Sequence, residues 1–160
     1  MSETLDERKN RLYPVILERT VALMTGFAHI QEMIKAALQQ RLADTLPPSL
    51  VKMLADKVRS DKDLRFAAVA LSEFPAASPE ANEFNRRWDR VKKVRDMLAH
   101  GMQVAPLWSD EENDFLYRPL YKEGIETTVT SIELDSLNQD CKAMWSWMLA
   151  IQRANQVERQ

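Results

Sequence analysis

Hydrophobic residues recur every three or four positions over most of the chain, which is the spacing of an amphipathic α-helix. The longest such segment begins near Pro14, which suits a first helical turn, and stops at residues 46–48, Leu-Pro-Pro. Two shorter helical segments follow, one from Ser49 and one after Asp61 or Asp63. The pattern therefore predicts a protein built mainly of helices.

Signals at both ends predict a fourth helix. Ser78 can cap it, Pro79 fits its first position, and Glu80 favours the positive end of the helix dipole. Gly101 follows His100 and fits a left-handed C-terminal cap. Between these ends runs one stripe with a single charged member: Phe84, Trp88, Val91, Arg95 and Leu98. An arginine on an apolar stripe needs a partner, which a carboxylate, a phosphate or a second subunit could supply.

The helical spacing is lost between this helix and the last one. Residues 108–114 predict a polar loop, and residues 115–121 and 126–132 predict the two strands of a small hairpin. Pro119 would confine the first strand to an edge. A last amphipathic helix is predicted from near Asp135.

The predicted fold class is all-α: an up-and-down helical bundle with a small β-hairpin inserted before the last helix. The 160 residues, 45% of them hydrophobic, suit one domain over the whole chain, residues 1–160. No apolar run approaches the roughly 20 residues of a membrane helix, and the polar N-terminus lacks the apolar stretch of a secretory signal. Cys141 is the single cysteine, so a reducing cytoplasm is the expected compartment.

The net charge of −2 and the pI of about 5.8 argue against a protein that coats DNA non-specifically. They leave room for RNA binding by a local basic patch. One stretch holds six cations against only Asp89: Arg86, Arg87, Arg90, Lys92, Lys93 and Arg95. Such a stretch is either a solvated helix face or a surface that guides a nucleic-acid backbone.

Several chemistries lack the residues that they need. Three glycines cannot build a phosphate-binding loop, and no spacing typical of a metal site is present. His29 and His100 are the only imidazoles, and Cys141 lies on an apolar stripe where a packed thiol is expected. We therefore predict neither a metal nor a cofactor.

The exception is a pair of residues near the end of the fourth helix, Arg95 and His100, with Asp96 between them. On a helix, Arg95 and His100 lie about 140° apart around the axis and roughly 7.5 Å apart along it. A histidine can take a proton from a ribose 2′-hydroxyl or return one to a leaving oxygen. An arginine can hold the phosphate, and Asp96 can orient the imidazole. The predicted catalytic residues are Arg95, His100 and Asp96, with Arg90, Lys92 and Lys93 as RNA-binding residues.

The segment Arg-Asp-Met-Leu-Ala-His-Gly at residues 95–101 resembles the R-x4–6-H motif of the HEPN superfamily. The resemblance covers about seven residues as a motif and most of the chain as architecture. It implies a HEPN-like helical domain, commonly a homodimer in which two arginines and two histidines share one cleft. It also implies a metal-independent endoribonuclease of toxin or defence systems, with RNA as substrate and an antitoxin protein as a possible partner.

Two positions depart from the family pattern. Asp96 stands where asparagine is frequent, and Met102 stands where one toxin subgroup has a tyrosine that a partner enzyme modifies. Some members of the superfamily are inactive, which leaves a non-catalytic dimeric binding or regulatory module as the alternative function. A third possibility is a plain structural bundle in which Arg95 pairs with Glu32 or with another core carboxylate.

Overall fold

The computed structural model describes residues 3–72, 74–75, 77–100, 105–118 and 128–157. Within these ranges the chain forms five helices and three strands: α1 (Leu5–Ala43), α2 (Pro48–Lys57), α3 (Asp61–Leu71), α4 (Pro79–His100), β1 (Leu107–Ser109), β2 (Asp114–Tyr117), β3 (Val129–Thr130) and α5 (Ser131–Val157). The predicted fold class is confirmed, since the chain is mostly helical and a small antiparallel sheet precedes the last helix.

Helix α1 begins earlier than predicted. Thr4 and Glu7 form a capping box, in which the Thr4 side chain accepts from the Glu7 N–H and the Glu7 side chain accepts from the Thr4 N–H. Pro14 therefore lies inside the helix and not in its first turn, so that prediction is wrong. A proline there removes one backbone donor, and packing of the rest of the helix against the core outweighs that loss.

The core is formed where α1 packs against α5 and α4. Its centre includes the Phe27 and Trp88 rings, whose centroids are 4.7 Å apart. The largest fully buried side chains are Trp88, Phe27, Phe84, Ile16, Leu23, Ile30, Ile34, Leu64, Met97, Leu134, Leu137 and Met144. All but one of these come from α1, α4 and α5, and the exception, Leu64, lies on α3.

The sheet differs from the predicted hairpin. β2 pairs antiparallel with β1 (Leu107 opposite Leu116) and with β3 (Tyr117 opposite Val129), which makes it the central strand. The prediction of a loop over residues 108–114 is wrong at both ends, because β1 includes residues 108 and 109 and β2 begins at Asp114. The edge position expected for the first strand is wrong too. β2 ends at Tyr117, so Pro119, which lies outside the described residues, takes no part in the described pairing.

Helix α4 begins as predicted. The Ser78 hydroxyl accepts from the Ala81 N–H at 3.1 Å, and Pro79 is the first residue of the helix. Gly101, the predicted C-terminal cap, lies outside the described residues. Over the described part of the chain, no helix combines the length and apolar character that crossing a bilayer requires.

Candidate functional site

The C-terminal half of α4 has a buried face with Arg95 at its border. Val91, Val94 and Met97 are buried against the core. Arg95 lies at the border of that face: its side chain is 22% exposed, and its guanidinium carbon lies 5.1 Å from the centre of the buried Phe27 ring. The arginine on the predicted apolar stripe is therefore held over an aromatic face at the edge of the core, where a cation–π contact stabilises it.

Two carboxylates contact the Arg95 guanidinium. Nη2 lies 3.3 Å and 3.4 Å from the two oxygens of Asp61, and Nη1 lies 3.0 Å from Asp96. The Nε–H is buried and has no hydrogen-bond partner among the described residues. The Arg95 guanidinium is thus paired with two acidic groups and also packed against the Phe27 ring.

Further donors tie Asp61 and Asp96 into one network. The Gln31 amide donates to Asp61 at 2.6 Å, and the Lys92 ammonium lies 3.6 Å from Asp61 and bonds Asp96 directly. The hydrogen bond to Asp96 raises the pKa of Lys92 above its usual value, with a further contribution from the charge of Asp61. These five residues, Gln31, Asp61, Lys92, Arg95 and Asp96, are called the Arg95 cluster below.

His100 is the last residue of α4 and is exposed. No hydrogen bond or ion pair joins it to any of the residues that the structure describes. Among the predicted catalytic residues, the structure brings Arg95 and Asp96 into contact, whereas the Asp96 carboxylate bonds Lys92 and Arg95 and not the imidazole. The orienting role predicted for Asp96 stays a prediction.

Arg90, a predicted RNA-binding residue, faces α5. Its guanidinium donates to Asp140 at 2.6 Å and to the Ser136 hydroxyl at 3.2 Å, and Arg87 donates to the other Asp140 oxygen at 2.9 Å. The Asp140 side chain is only 5% exposed. We call Arg87, Arg90 and Asp140 the α4–α5 clasp. Lys93, the third predicted RNA-binding residue, is exposed and has no ion partner within the described ranges.

The basic stretch of α4 is therefore largely neutralised. Glu83 binds Arg86 and Arg87 one turn further along the helix, at 2.7 Å and 2.8 Å. The hydrogen bond from Arg86, with the charge of both arginines, lowers the pKa of Glu83 to about 2. This pairing was readable from the three- and four-residue spacing, whereas the contact with Asp140 joins residues about 50 positions apart.

The remaining candidate groups lie elsewhere. Cys141 is buried, and burial raises the pKa of its thiol to about 12. His29 is exposed on α1 and its ring meets that of Trp145 edge-on, with the centroids 5.9 Å apart. Among the residues placed by the structure, no three histidine, cysteine or acidic side chains gather as metal ligands would.

Sequence reasoning missed Gln31, Asp61 and Phe27 as members of this site. Asp61 was recognised only as a possible start of α3, and nothing in its local sequence indicates that it contacts α4. Glu32, the carboxylate suggested for Arg95, instead binds Lys35 at 2.7 Å on α1. The contacts of Arg95 depend on how α1, α3 and α4 pack, which a local pattern does not reveal.

Fold and site together define a mostly helical protein with an arginine-centred ion cluster near the end of its fourth helix. Comparison of the chain with models of known protein families, with curated proteins and with solved structures finds no match.

Proposed function

We propose that this protein is a metal-independent endoribonuclease of the toxin or defence type. One observation carries the proposal: a partly exposed guanidinium, Arg95, and an exposed imidazole, His100, lie near the same end of α4. An imidazole can act as general acid or base and a guanidinium can stabilise charge on a phosphate, so the two can support phosphodiester transesterification without a metal. The resemblance of residues 95–101 to the R-x4–6-H motif supports the same assignment.

In the proposed reaction, His100 removes the proton from a ribose 2′-hydroxyl. The oxygen attacks the adjacent phosphorus, the bond from phosphorus to the 5′-oxygen breaks, and a 2′,3′-cyclic phosphate forms. The leaving 5′-oxygen takes up a proton from an imidazolium, so that charge and atoms balance. Arg95 holds the phosphate and stabilises the charge that develops on its non-bridging oxygens.

The proposal includes the partners that the motif implies. Two copies of the chain would form a homodimer in which two Arg95 and two His100 side chains share one cleft, and one imidazole could then act as base while the other acts as acid. RNA is the substrate, the cytoplasm is the proposed compartment, and an antitoxin protein is a possible regulator. Lys93 is the most available of the predicted RNA-binding residues, because Arg90 and Lys92 already bind carboxylates.

The test is a cleavage assay in the presence of a chelator. Wild-type protein is expected to convert RNA to fragments that end in a 2′,3′-cyclic phosphate, and His100→Ala is expected to abolish the product. His29→Ala is the matched control, since His29 is the other exposed histidine. Cleavage by His100→Ala at the wild-type rate would exclude His100 from the mechanism, and absence of cleavage by wild-type dimer would reject the proposal.

A second candidate is a non-catalytic binding or regulatory module. The observation that favours it is the pairing of Arg95 with both Asp61 and Asp96, which offsets the charge that a scissile phosphate requires. This candidate predicts oligonucleotide binding or dimer formation without RNA turnover. Arg95→Glu would then lower the dimer mass in solution, measured by light scattering, while the RNA stays intact with every variant.

A further inference from the structure

Donors from two helices converge on the carboxylate of Asp61. Gln31 on α1 provides an amide N–H at 2.6 Å. Arg95 and Lys92 on α4 provide a guanidinium nitrogen at 3.3 Å and an ammonium at 3.6 Å. An amide, a guanidinium and an ammonium arranged around two oxygens form the kind of donor set that binds a phosphate group.

The contacts of the two cations with Asp61 are long for ion pairs. Arg65 on α3 and Asp89 on α4 form an ion pair at 2.7 Å, whereas both cations of α4 that face Asp61 lie beyond 3.2 Å. The Arg95 contact uses one nitrogen for both oxygens, so it lacks the two parallel bonds of the strongest arginine–carboxylate pairs. The Asp61 side chain is 24% exposed, which leaves it open to a competing solute.

The charges of the Arg95 cluster cancel. Lys92 and Arg95 are positive, Asp61 and Asp96 are negative, and Gln31 is neutral. A phosphodiester carries one negative charge on two non-bridging oxygens. The Asp61 carboxylate likewise presents one negative charge on two oxygens to the same donors. Exchange of one for the other preserves both the charge balance and the number of acceptors.

We propose that Arg95, Lys92 and Gln31 form a phosphate-binding site for a nucleic-acid backbone and that Asp61 occupies it as an intramolecular substitute for the phosphate. The site is thereby self-inhibited, and the substrate binds by displacing Asp61. This inference deepens the proposed function and rests on it for the source of the phosphate. Its binding part is tested separately from cleavage.

Displacement of Asp61 does not require α3 to unfold. Asp61 is the first residue of α3, and Ser60 caps that helix by accepting from the Asp63 N–H at 3.1 Å. A rotation of the Asp61 side chain to another staggered rotamer is enough to release the donors. The Asp61 side chain can therefore leave the donors while Ser60 still caps α3.

The experiment measures the affinity of the full-length protein for a short 2′-O-methyl RNA, which lacks the 2′-hydroxyl and is not cleaved. Asp61→Asn keeps the shape of the side chain and removes its charge. We expect it to tighten binding about fivefold, the effect of one charge at about 4 Å in a water-like medium. Asp89→Asn is the matched control, because it changes the net charge equally beside Arg65, and it should stay within about twofold of wild type.

Two further variants define the outcome. Asp61→Asn combined with Arg95→Gln should lose the gain, and Asp61→Glu, which restores the charge, should bind like wild type. If Asp61→Asn lowers the helix content measured by circular dichroism, Asp61→Ser takes its place. Unchanged or weaker binding by the folded variant, or a gain that persists without Arg95, would overturn the inference.

Competition by millimolar inorganic phosphate equal to that by RNA would show that the site selects free phosphate and would overturn the assignment to a backbone.

Failure of this inference can be distinguished from failure of the proposed function. Tighter binding by Asp61→Asn without RNA cleavage by any variant would reject the nuclease and keep the phosphate site. Cleavage that depends on His100, together with unchanged binding by Asp61→Asn, would keep the nuclease and reject the role of Asp61.

Discussion

Two of the arginine–carboxylate groups on helix α4 differ in the length of their contacts and in the burial of their carboxylates. In the α4–α5 clasp, Arg87 and Arg90 each bond one oxygen of Asp140, at 2.9 Å and 2.6 Å, and the carboxylate is only 5% exposed. In the Arg95 cluster, Arg95 lies 3.3 Å from Asp61, whose side chain is 24% exposed. The contacts of the first group are short and its carboxylate is buried, whereas the contact of the second is longer and its carboxylate is partly exposed.

The difference indicates separate roles for similar residues. A buried carboxylate that loses its cations costs several kcal/mol, so the α4–α5 clasp fixes one helix on the other. An open pair contributes little to stability and can exchange a partner for a ligand. We therefore assign phosphate binding to Arg95, whose contact with Asp61 is weaker. Arg87 and Arg90, whose contacts with Asp140 are stronger, are assigned a structural role.

The largest expected effect is on the α4–α5 clasp. Asp140→Asn removes the anion that Arg87 and Arg90 share. Because both arginines are partly exposed and Arg87 keeps Glu83, we expect the variant to lower the free energy of unfolding by about 2 kcal/mol. Urea denaturation followed by circular dichroism measures the change. Asp61→Asn is the companion variant and should lose less than about 1 kcal/mol. Equal losses in the two variants would remove the distinction between the two groups.

Cys141 reports on the packing of α5 next to the α4–α5 clasp. Because burial raises the pKa of its thiol to about 12, almost none of it is thiolate at pH 8. Iodoacetamide should therefore label the folded protein about a hundredfold or more slower than the protein in urea. Labelling is quantified by mass spectrometry. Comparable rates in the two states would show that α5 opens readily at this position.

A smaller effect is expected for the coupling between Arg95 and Asp61. A double-mutant cycle of Arg95→Gln and Asp61→Asn, measured by urea denaturation, should give a coupling energy of about 1 kcal/mol or less. The same cycle with Arg90→Gln and Asp140→Asn should give a clearly larger value, since that carboxylate is buried. A larger coupling at Arg95 than at Arg90 would reverse the assignment of the two groups.

The smallest expected effect is the contribution of Glu83 to the loss of stability in acid. Its pKa is about 2 in the folded protein, below the ordinary glutamate value of 4.5, so the unfolded state binds the proton first as the pH falls. The stability that it contributes is present above pH 4.5 and is lost as the pH falls towards 2. The Glu83 side chain is 43% exposed, so solvent screens its ion pairs and only a slight change in the urea midpoint is expected between pH 5 and pH 3. Glu83→Gln should reduce that change, and an unaltered acid dependence would show that Glu83 does not contribute.

Local signals predicted the elements whose ends are marked in the sequence. Ser78 and Pro79 gave the start of α4 because capping depends on neighbouring residues alone. The same kind of signal, Thr4 with Glu7, marks the true start of α1, and Pro14 lies within the helix although proline also suits a first turn. β1 could not be separated from a loop, because Trp108 and Ser109 are followed by a polar turn and their strand pairing is a tertiary contact.

The site was predictable only in part. The position of Arg95 on an apolar stripe predicted that it needs a partner, and it has two acidic ones. The identity of Asp61 was not predictable, since 34 residues separate it from Arg95 and the contact exists only after α3 packs beside α4. The clasp partner of Arg90, Asp140, is hidden for the same reason.

Nuclear magnetic resonance of the arginine side chains tests most directly the claim that Arg95, and not Arg90, meets the RNA backbone. The short 2′-O-methyl RNA is titrated into protein labelled with nitrogen-15, and the guanidinium Nε–H and histidine ring signals are followed. We predict that Arg95 and His100 shift with saturation while Arg87 and Arg90 do not. Shifts at Arg87 and Arg90 with none at Arg95 would contradict the account.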